Sequence, residues 1–355
     1  MIGRFVIVVV AIVASGCGAR TGVLDEEEGA DAGHGFGTLP CRWTLGRSVE
    51  LARPSDTCRI TGAVHDSRDE VVLAWDTVDC KSVTRPTDPQ GARLVLGDPP
   101  AILGPGLSPP SGSTPMAFVH GELWQLAGRD VLRLDDGLRE VERVPVDLHF
   151  AQAFNGTDPD ILHGVVTGEG LAWAAWSISH RARVGSIFNA TIRAGALELL
   201  PDRGWVGVDM FGAYVSPIGE PTVRGDVSDV GFVLSAAPDR LRGGLVAIYR
   251  GSSGLGIARL PFALPPALAP LAVIDAPAEP VGALVTNETE ALVALDDGRV
   301  LIEPLSGSAV RYLHLNTEMG HVSAAQVLLR PGTSVGGVVY VERDVVQFQT
   351  LVCNR

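Results

Sequence analysis

Lysine is nearly missing from this chain: Lys81 is the only one among 28 basic residues. That removes most lysine-dependent chemistry, Schiff-base catalysis included. With abundant alanine, glycine and valine it reads as the codon bias of a GC-rich genome. Charge is also sparse, at 19% of residues, and acids outnumber bases 41 to 28 for a net charge of −13. Such a surface repels phosphate backbones, so nucleic acid is not an expected partner.

The motifs that announce chemistry are missing too. There is no G-x-S-x-G, and Gly251-Ser252-Ser253-Gly254 reads as a turn. There is no Walker loop, and Gly33-His34-Gly35-Phe36-Gly37 lies in a polar, glycine-rich stretch, not between strand and helix. The eight histidines, His34, His65, His120, His149, His163, His180, His314 and His321, never take HExxH spacing, and each is read as a surface or loop residue. His120-Gly121-Glu122 shares half the spacing of a zinc deaminase signature without its P-C-x-x-C partner. No calcium loop is present. Asp135-Asp136, Asp158 with Asp160, and Asp296-Asp297 read as turn residues at hairpin tips, not as acid-base pairs. No catalytic residue, cofactor or metal ligand is therefore assigned.

Long hydrophobic runs occur nowhere after the amino terminus; the most apolar later segment, Leu260 to Val273, contains four prolines. At the start, Arg4 precedes an apolar run from Phe5 to Ala14, followed by Ser15, Gly16 and Cys17. The run falls short of the roughly 20 residues that span a bilayer and matches the layout of a secretory signal peptide. Val13-Ala14-Ser15-Gly16-Cys17 resembles the lipobox of bacterial lipoproteins, with Ala14 where that family usually has leucine. The resemblance implies a signal peptide over 1–16, lipidation of Cys17, and a membrane anchor carrying palmitate or related acyl chains. Gly18 in place of aspartate points to the outer membrane of a Gram-negative envelope. Residues 17–39, with an acidic run Asp25 to Glu28, read as a flexible spacer.

Four cysteines then remain in an oxidising compartment: Cys41, Cys58, Cys80 and Cys353. Three pairings are open. Cys58 with Cys80 is favoured because the two bracket the apolar strand Glu70 to Trp75, and Cys41 with Cys353 because they stand at the two ends of the domain. The longer loop corresponds to about 4–5 kcal/mol in the chain-entropy account. No C-x-x-C spacing supports a metal site instead.

From residue 40 to 355 apolar runs of four to eight residues alternate with Gly, Pro and Asp clusters, and no helical period is sustained. Hairpins are expected at Glu122–Leu126 with Asp130–Leu134, Ala291–Leu295 with Val300–Glu303, and Val338–Glu342 with Val345–Leu351. Trp75, Trp124 and Trp173 are 49 residues apart each time, and weaker marks follow at Trp205, Ala247, Val293 and Tyr340. A period near 44 belongs to four-stranded propeller blades. The expected fold is all-β, a β-propeller of six or seven blades, with tandem β-sandwiches as the alternative. The run Val345 to Val352 is expected to complete a blade begun near Arg42 to Leu45. Trp-Asp occurs once, at Trp75-Asp76, and Gly-His once, at Gly320-His321, so the chain lacks the recurring signature of WD40 repeats, and kelch signatures are absent. Trp173, Trp176, Tyr249 and Tyr340 are expected to fill the core between blades.

These readings converge on an envelope lipoprotein whose propeller is a binding or scaffold platform for a protein or carbohydrate partner. The runner-up is a propeller enzyme acting on extracellular carbohydrate through carboxylates gathered in the channel.

Overall fold

Apolar runs rich in β-branched residues and bounded by turn formers favour short strands. The computed structural model arranges 28 of them in seven four-stranded antiparallel sheets. It describes residues 41–53, 59–76, 89–112, 114–148, 150–154, 158–167, 171–188, 196–200, 203–208, 212–227, 231–239, 242–252, 254–274, 278–287, 289–306, 309–330 and 335–354. The expectations for the leader, for Cys17, for the spacer and for a Cys58–Cys80 bond fall outside these residues.

Strand β1 (Arg42–Ala52) stands apart from the first blade, which holds β2 (Arg59–Val64), β3 (Glu70–Asp76), β4 (Gln90–Val95) and β5 (Ala101–Leu107). Blade 2 holds β6 (Met116–Val119), β7 (Glu122–Ala127), β8 (Asp130–Leu134) and β9 (Glu140–Pro145). Blade 3 holds β10 (Phe150–Phe154), β11 (Ile161–Thr167), β12 (Leu171–Ser177) and β13 (Ala182–Phe188). Blade 4 holds β14 (Ala196–Leu200), β15 (Gly204–Val208), β16 (Gly212–Pro217) and β17 (Val223–Asp226). Blade 5 holds β18 (Phe232–Pro238), β19 (Leu245–Gly251), β20 (Gly254–Leu260) and β21 (Ala269–Ile274). Blade 6 holds β22 (Val285–Thr286), β23 (Glu290–Ala294), β24 (Arg299–Pro304) and β25 (Arg311–His314). Blade 7 is composite: β26 (Ala324–Leu329), β27 (Val335–Glu342) and β28 (Val345–Asn354) are completed by β1, which pairs with β28.

The result is a seven-bladed β-propeller. It settles the expectation on seven blades, and neither six blades nor tandem sandwiches describes it. All three expected hairpins form, as β7–β8, β23–β24 and β27–β28.

Stacking of blade on blade explains the composition. The second strand of a blade is buried on both faces: β3, β15, β19 and β23 are apolar and buried almost throughout. Its alternate residues face opposite neighbours. Val71, Leu73 and Trp75 pack on blade 7, while Val72 and Ala74 pack on blade 2. Among the described residues seven apolar clusters form, one at each of the seven junctions between blades.

Six of the seven repeat marks fall on second strands. Trp173 does not, because it lies on β12, the third strand of its blade. The equivalent second-strand centre is Gly164 on β11, which is 40 residues from Trp124 and 41 from Trp205. The uneven spacings around Trp173 were thus a slip of one strand, and the Trp205 mark belongs to a blade of its own. Trp176, Tyr249 and Tyr340 are buried between blades as expected.

Ring closure is reinforced at the seam between blades 6 and 7. Cys41 and Cys353, 312 positions apart with Cα atoms 5.3 Å from each other, form a disulfide beside the register pair Trp43 and Cys353. Trp43 Nε1 donates to Glu290 Oε2, Arg311 Nη2 pairs with Glu290 Oε1, and Arg311 Nη1 donates to the Cys41 carbonyl. Glu290 is fully buried; burial pushes its carboxyl above the ordinary range, against the pull of Trp43 and Arg311. Replacing both Cys41 and Cys353 by alanine is expected to lower unfolding stability by about 2–5 kcal/mol, measured by denaturant titration with and without a thiol reductant. The reductant should destabilise the native chain more than it does the double variant, which lacks the Cys41–Cys353 bond.

Candidate functional site

The first strands of neighbouring blades touch one another, as β2 does with β6 and β26 and β18 with β14 and β22, so these strands surround the axis. Together the seven first strands carry two ionisable residues, Arg59 and Glu198. Carbohydrate hydrolysis needs a pair of carboxylates across the scissile bond. These strands supply one. Among the described residues no three His, Cys, Asp or Glu side chains gather as a metal site would require.

Polar side chains converge elsewhere, on the face formed by the turns from first to second and third to fourth strands. A cavity of about 170 Å³ between blades 1 and 2 is lined by His65, Arg68, Glu70, Arg93, Asp135 and Asp136, among others. A second, of about 240 Å³, lies between blades 2 and 3 beside His120, Glu142, Ser179 and Arg181. Both are lined by Glu122 and Arg133, so these two residues form the partition between them.

The walls are built from arginine–carboxylate pairs. Arg93 Nε donates to Glu70 Oε1 at 2.9 Å, and its Nη1 lies 2.7 Å from Asp136 Oδ1 on the next blade. Arg133 Nε donates to Glu142 Oε2 at 3.0 Å and its Nη1 to Glu122 Oε1 at 3.1 Å; Arg181 of blade 3 pairs with the other Glu142 oxygen. Burial pulls the Arg93 guanidinium down, yet its bonds to Glu70 and Asp136 leave it raised. Hydrogen bonds from Arg133 and Arg181 hold Glu142 below the usual carboxylate range. Arg68 is exposed and has no partner among the described residues.

His163, buried on a strand, contradicts its reading as a surface or loop residue, and His65 is a loop residue that is nevertheless buried. His65 is 4% exposed and packs on Phe118 with ring centroids 4.6 Å apart. The Ser67 amide donates to its Nδ1 at 3.1 Å, which leaves the neutral ring's proton on Nε2, the atom facing Gly121. Asp66 Oδ1 also lies 3.0 Å from the same Nδ1. His163 lies buried on β11, its ring 5.4 Å from that of Trp205 on blade 4. Both were hidden because their burial comes from a neighbouring blade. His120 and Gly121, at φ 51° and 81°, form the two-residue hairpin turn between β6 and β7, which explains that motif without zinc chemistry. His314 and His321 are exposed, and His34 and His149 fall outside the described residues.

The aspartates behave as turn residues. Asp135 Oδ1 accepts from the Gly137 and Arg139 amides, and Asp297 Oδ1 from the Arg299 amide. Asp160 goes further: it is buried, accepts from Ser177 Oγ at 2.6 Å and from Ser179 Oγ at 2.7 Å, and Ser177 Oγ lies 2.9 Å from His180 Nδ1. In a catalytic triad the acid orients the histidine. Here the acid holds the serine, so the cluster fastens the turn after β12.

Glu303 on β24 is the second missed carboxylate of blade 6. It is fully buried, neither oxygen has a partner among the described residues, and burial raises its pKa to about 7. Its register partner Ala291 and its strand neighbours Leu301 and Leu305 place it at the apolar seam with blade 5. Across that seam Arg259 is already committed to Asp239 and to the Leu305 carbonyl.

The chain's likeness to known proteins is confined to its fold. No family model matches the chain, and no curated protein matches it in sequence. Among solved structures, the WD40 domain of Neurospora crassa Pan2 superimposes with a TM-score of 0.54 at 11% identity, covering 88% of this chain and 96% of that one. The likeness is of fold alone. A propeller hosts many unrelated functions, so the site has to be argued from its own residues.

Glu303 gives a pH test of the seam. Its unfolded carboxyl ionises near 4.5 and its folded one near 7, so its contribution to stability is full below pH 4.5 and is lost as pH rises to about 7. Glu303→Gln should match the native chain at pH 4.5 and exceed it at pH 8 by on the order of 3 kcal/mol, measured by urea unfolding at both values. Equal stability at pH 8 would show that the folded carboxyl ionises normally.

Proposed function

We propose that this chain is an envelope lipoprotein, anchored through Cys17 to the outer membrane of a Gram-negative cell, whose propeller is a rigid platform that binds a protein or carbohydrate partner. The observation that carries the reading is the closed ring itself. Seven stacked apolar seams and a disulfide hold the blades in fixed relation, while turns from different blades bring polar side chains together on one face. Such a frame suits recognition by turns on a rigid scaffold. A disulfide across the whole domain also suits an oxidising compartment, which supports export by the leader. Acidic net charge continues to disfavour nucleic acid.

The anchor is tested by expressing the full chain and its Cys17→Ser variant in a Gram-negative host fed with radiolabelled palmitate. The native chain is expected to incorporate label and sediment with outer membranes. The variant should be unlabelled and leave the membrane fraction. An unlabelled native chain would refute the anchor.

A further inference from the structure

We propose that the paired cavities astride Arg133 form a two-subsite groove for a neutral, hydroxyl-rich chain, a glycan, laid across blades 1, 2 and 3. The assignment deepens the platform reading by naming the class of partner, and it does not depend on the anchor.

Size is the first argument. Cavities of about 170 and 240 Å³ are below the roughly 300–1,000 Å³ of sites that enclose a drug-sized molecule. Each has room for one small unit. Because Arg133 and Glu122 line both, a ligand that fills the two must pass over that partition as a chain of repeating units.

Charge is the second. Four guanidiniums, Arg68, Arg93, Arg133 and Arg181, stand with five carboxylates, Glu70, Glu122, Asp135, Asp136 and Glu142. Three of the four guanidiniums are already paired with carboxylates of the same groove. At Arg93, Arg133 and Arg181 an anionic ligand would have to displace those carboxylates, and a cationic one the guanidiniums. A neutral ligand does neither. Fixed guanidinium–carboxylate pairs present N–H donors and oxygen acceptors side by side, and a hydroxyl group both donates and accepts. His65 adds its Nε2 at the edge of the first cavity, and Arg68 adds a guanidinium with no partner among the described residues.

A peptide fits less well. The apolar residues of the lining, Val72, Phe118, Leu123, Trp124 and Ile178 among them, are all buried, and among the described residues no large exposed apolar side chain lines either cavity. Peptide grooves depend on accessible apolar pockets or a free strand edge. The accessible groove here is polar.

The test uses the full chain in detergent and isothermal titration with neutral hexasaccharides (cello-, malto-, manno- and laminarihexaose), with oligogalacturonate as an acidic comparison. At least one neutral hexasaccharide is expected to bind with an affinity that changes little between 50 and 500 mM salt, since no ion pair forms. Arg133→Met should weaken binding about 10-fold or more, as loss of a charge-assisted hydrogen bond does. The exposed changes Arg68→Gln and Arg181→Gln should weaken it several-fold without disturbing the fold, and Glu318→Gln on the opposite face should leave it unchanged. Three results overturn the proposal: no neutral saccharide bound, binding that survives all three arginine changes, or retention of oligogalacturonate alone with a steep salt dependence. A chain that captures an envelope protein yet binds no saccharide would retain the platform reading and lose the groove.

Discussion

The antiparallel pairing of β1 with β28 joins residues about 300 positions apart, and closure of the ring depends on it. A stack of sheets that failed to close would expose two apolar faces, on blade 1 and on the incomplete blade 7. Loop-closure entropy grows only with the logarithm of length, so joining the chain's ends is little harder than closing a loop half as long. What holds the junction is chemical detail. Glu290 is taken out of water, which is unfavourable for a carboxylate, and both of its oxygens are met, one by the Trp43 indole and one by Arg311. Arg311 also reaches the Cys41 carbonyl, so the disulfide and the ion pair clamp the same turn of chain.

The ring was legible in the sequence because blade stacking leaves a local trace. A strand buried on both faces must be apolar with little interruption, and such strands recur in five of the seven blades, at VVLAW, GWVGV, LVAIY, ALVA and GVVYV. The trace misled at Trp173, where blade 3 has an aromatic-rich third strand and a second strand, ILHGVVT, that carries a histidine in its middle. Cys41 and Cys353 could be paired from the chain's ends alone. The clamp could not, since Trp43, Glu290 and Arg311 are ordinary residues whose meeting depends on the closed ring. His163 was misread for the same reason: Trp205, which helps to cover it, belongs to the next blade.

The groove lay further still from view. Its residues sit in four turns and the strands beside them, spread over three blades, and none seen alone marks a site. The composition nevertheless prepared for it. With Lys81 as the only lysine, nearly every cation is a guanidinium, whose planar fork makes two directed bonds where an ammonium would be a mobile point charge. Arg93 and Arg133 each bridge two carboxylates in this way, and Arg93 and Arg181 carry the bonds across blade junctions. The pairs that shape the cavities therefore also fasten blades 1, 2 and 3 to one another on that face, which gives the groove a fixed outline.

Blade 6 shows how strongly the environment, not the residue type, decides what a buried carboxyl does. Glu290 and Glu303 come from paired strands, and both are wholly shielded from water. Alternation along the strands turns Glu290 toward blade 7 and Glu303 toward blade 5. Burial acts on both in the same direction. At the first seam two donors oppose it, and the group serves as a fastening. At the second no donor does, and the nearest cation across the seam, Arg259, is held by Asp239. At the seam between blades 5 and 6 a rise in pH through neutrality consequently places a charge without a partner among the described residues inside apolar packing.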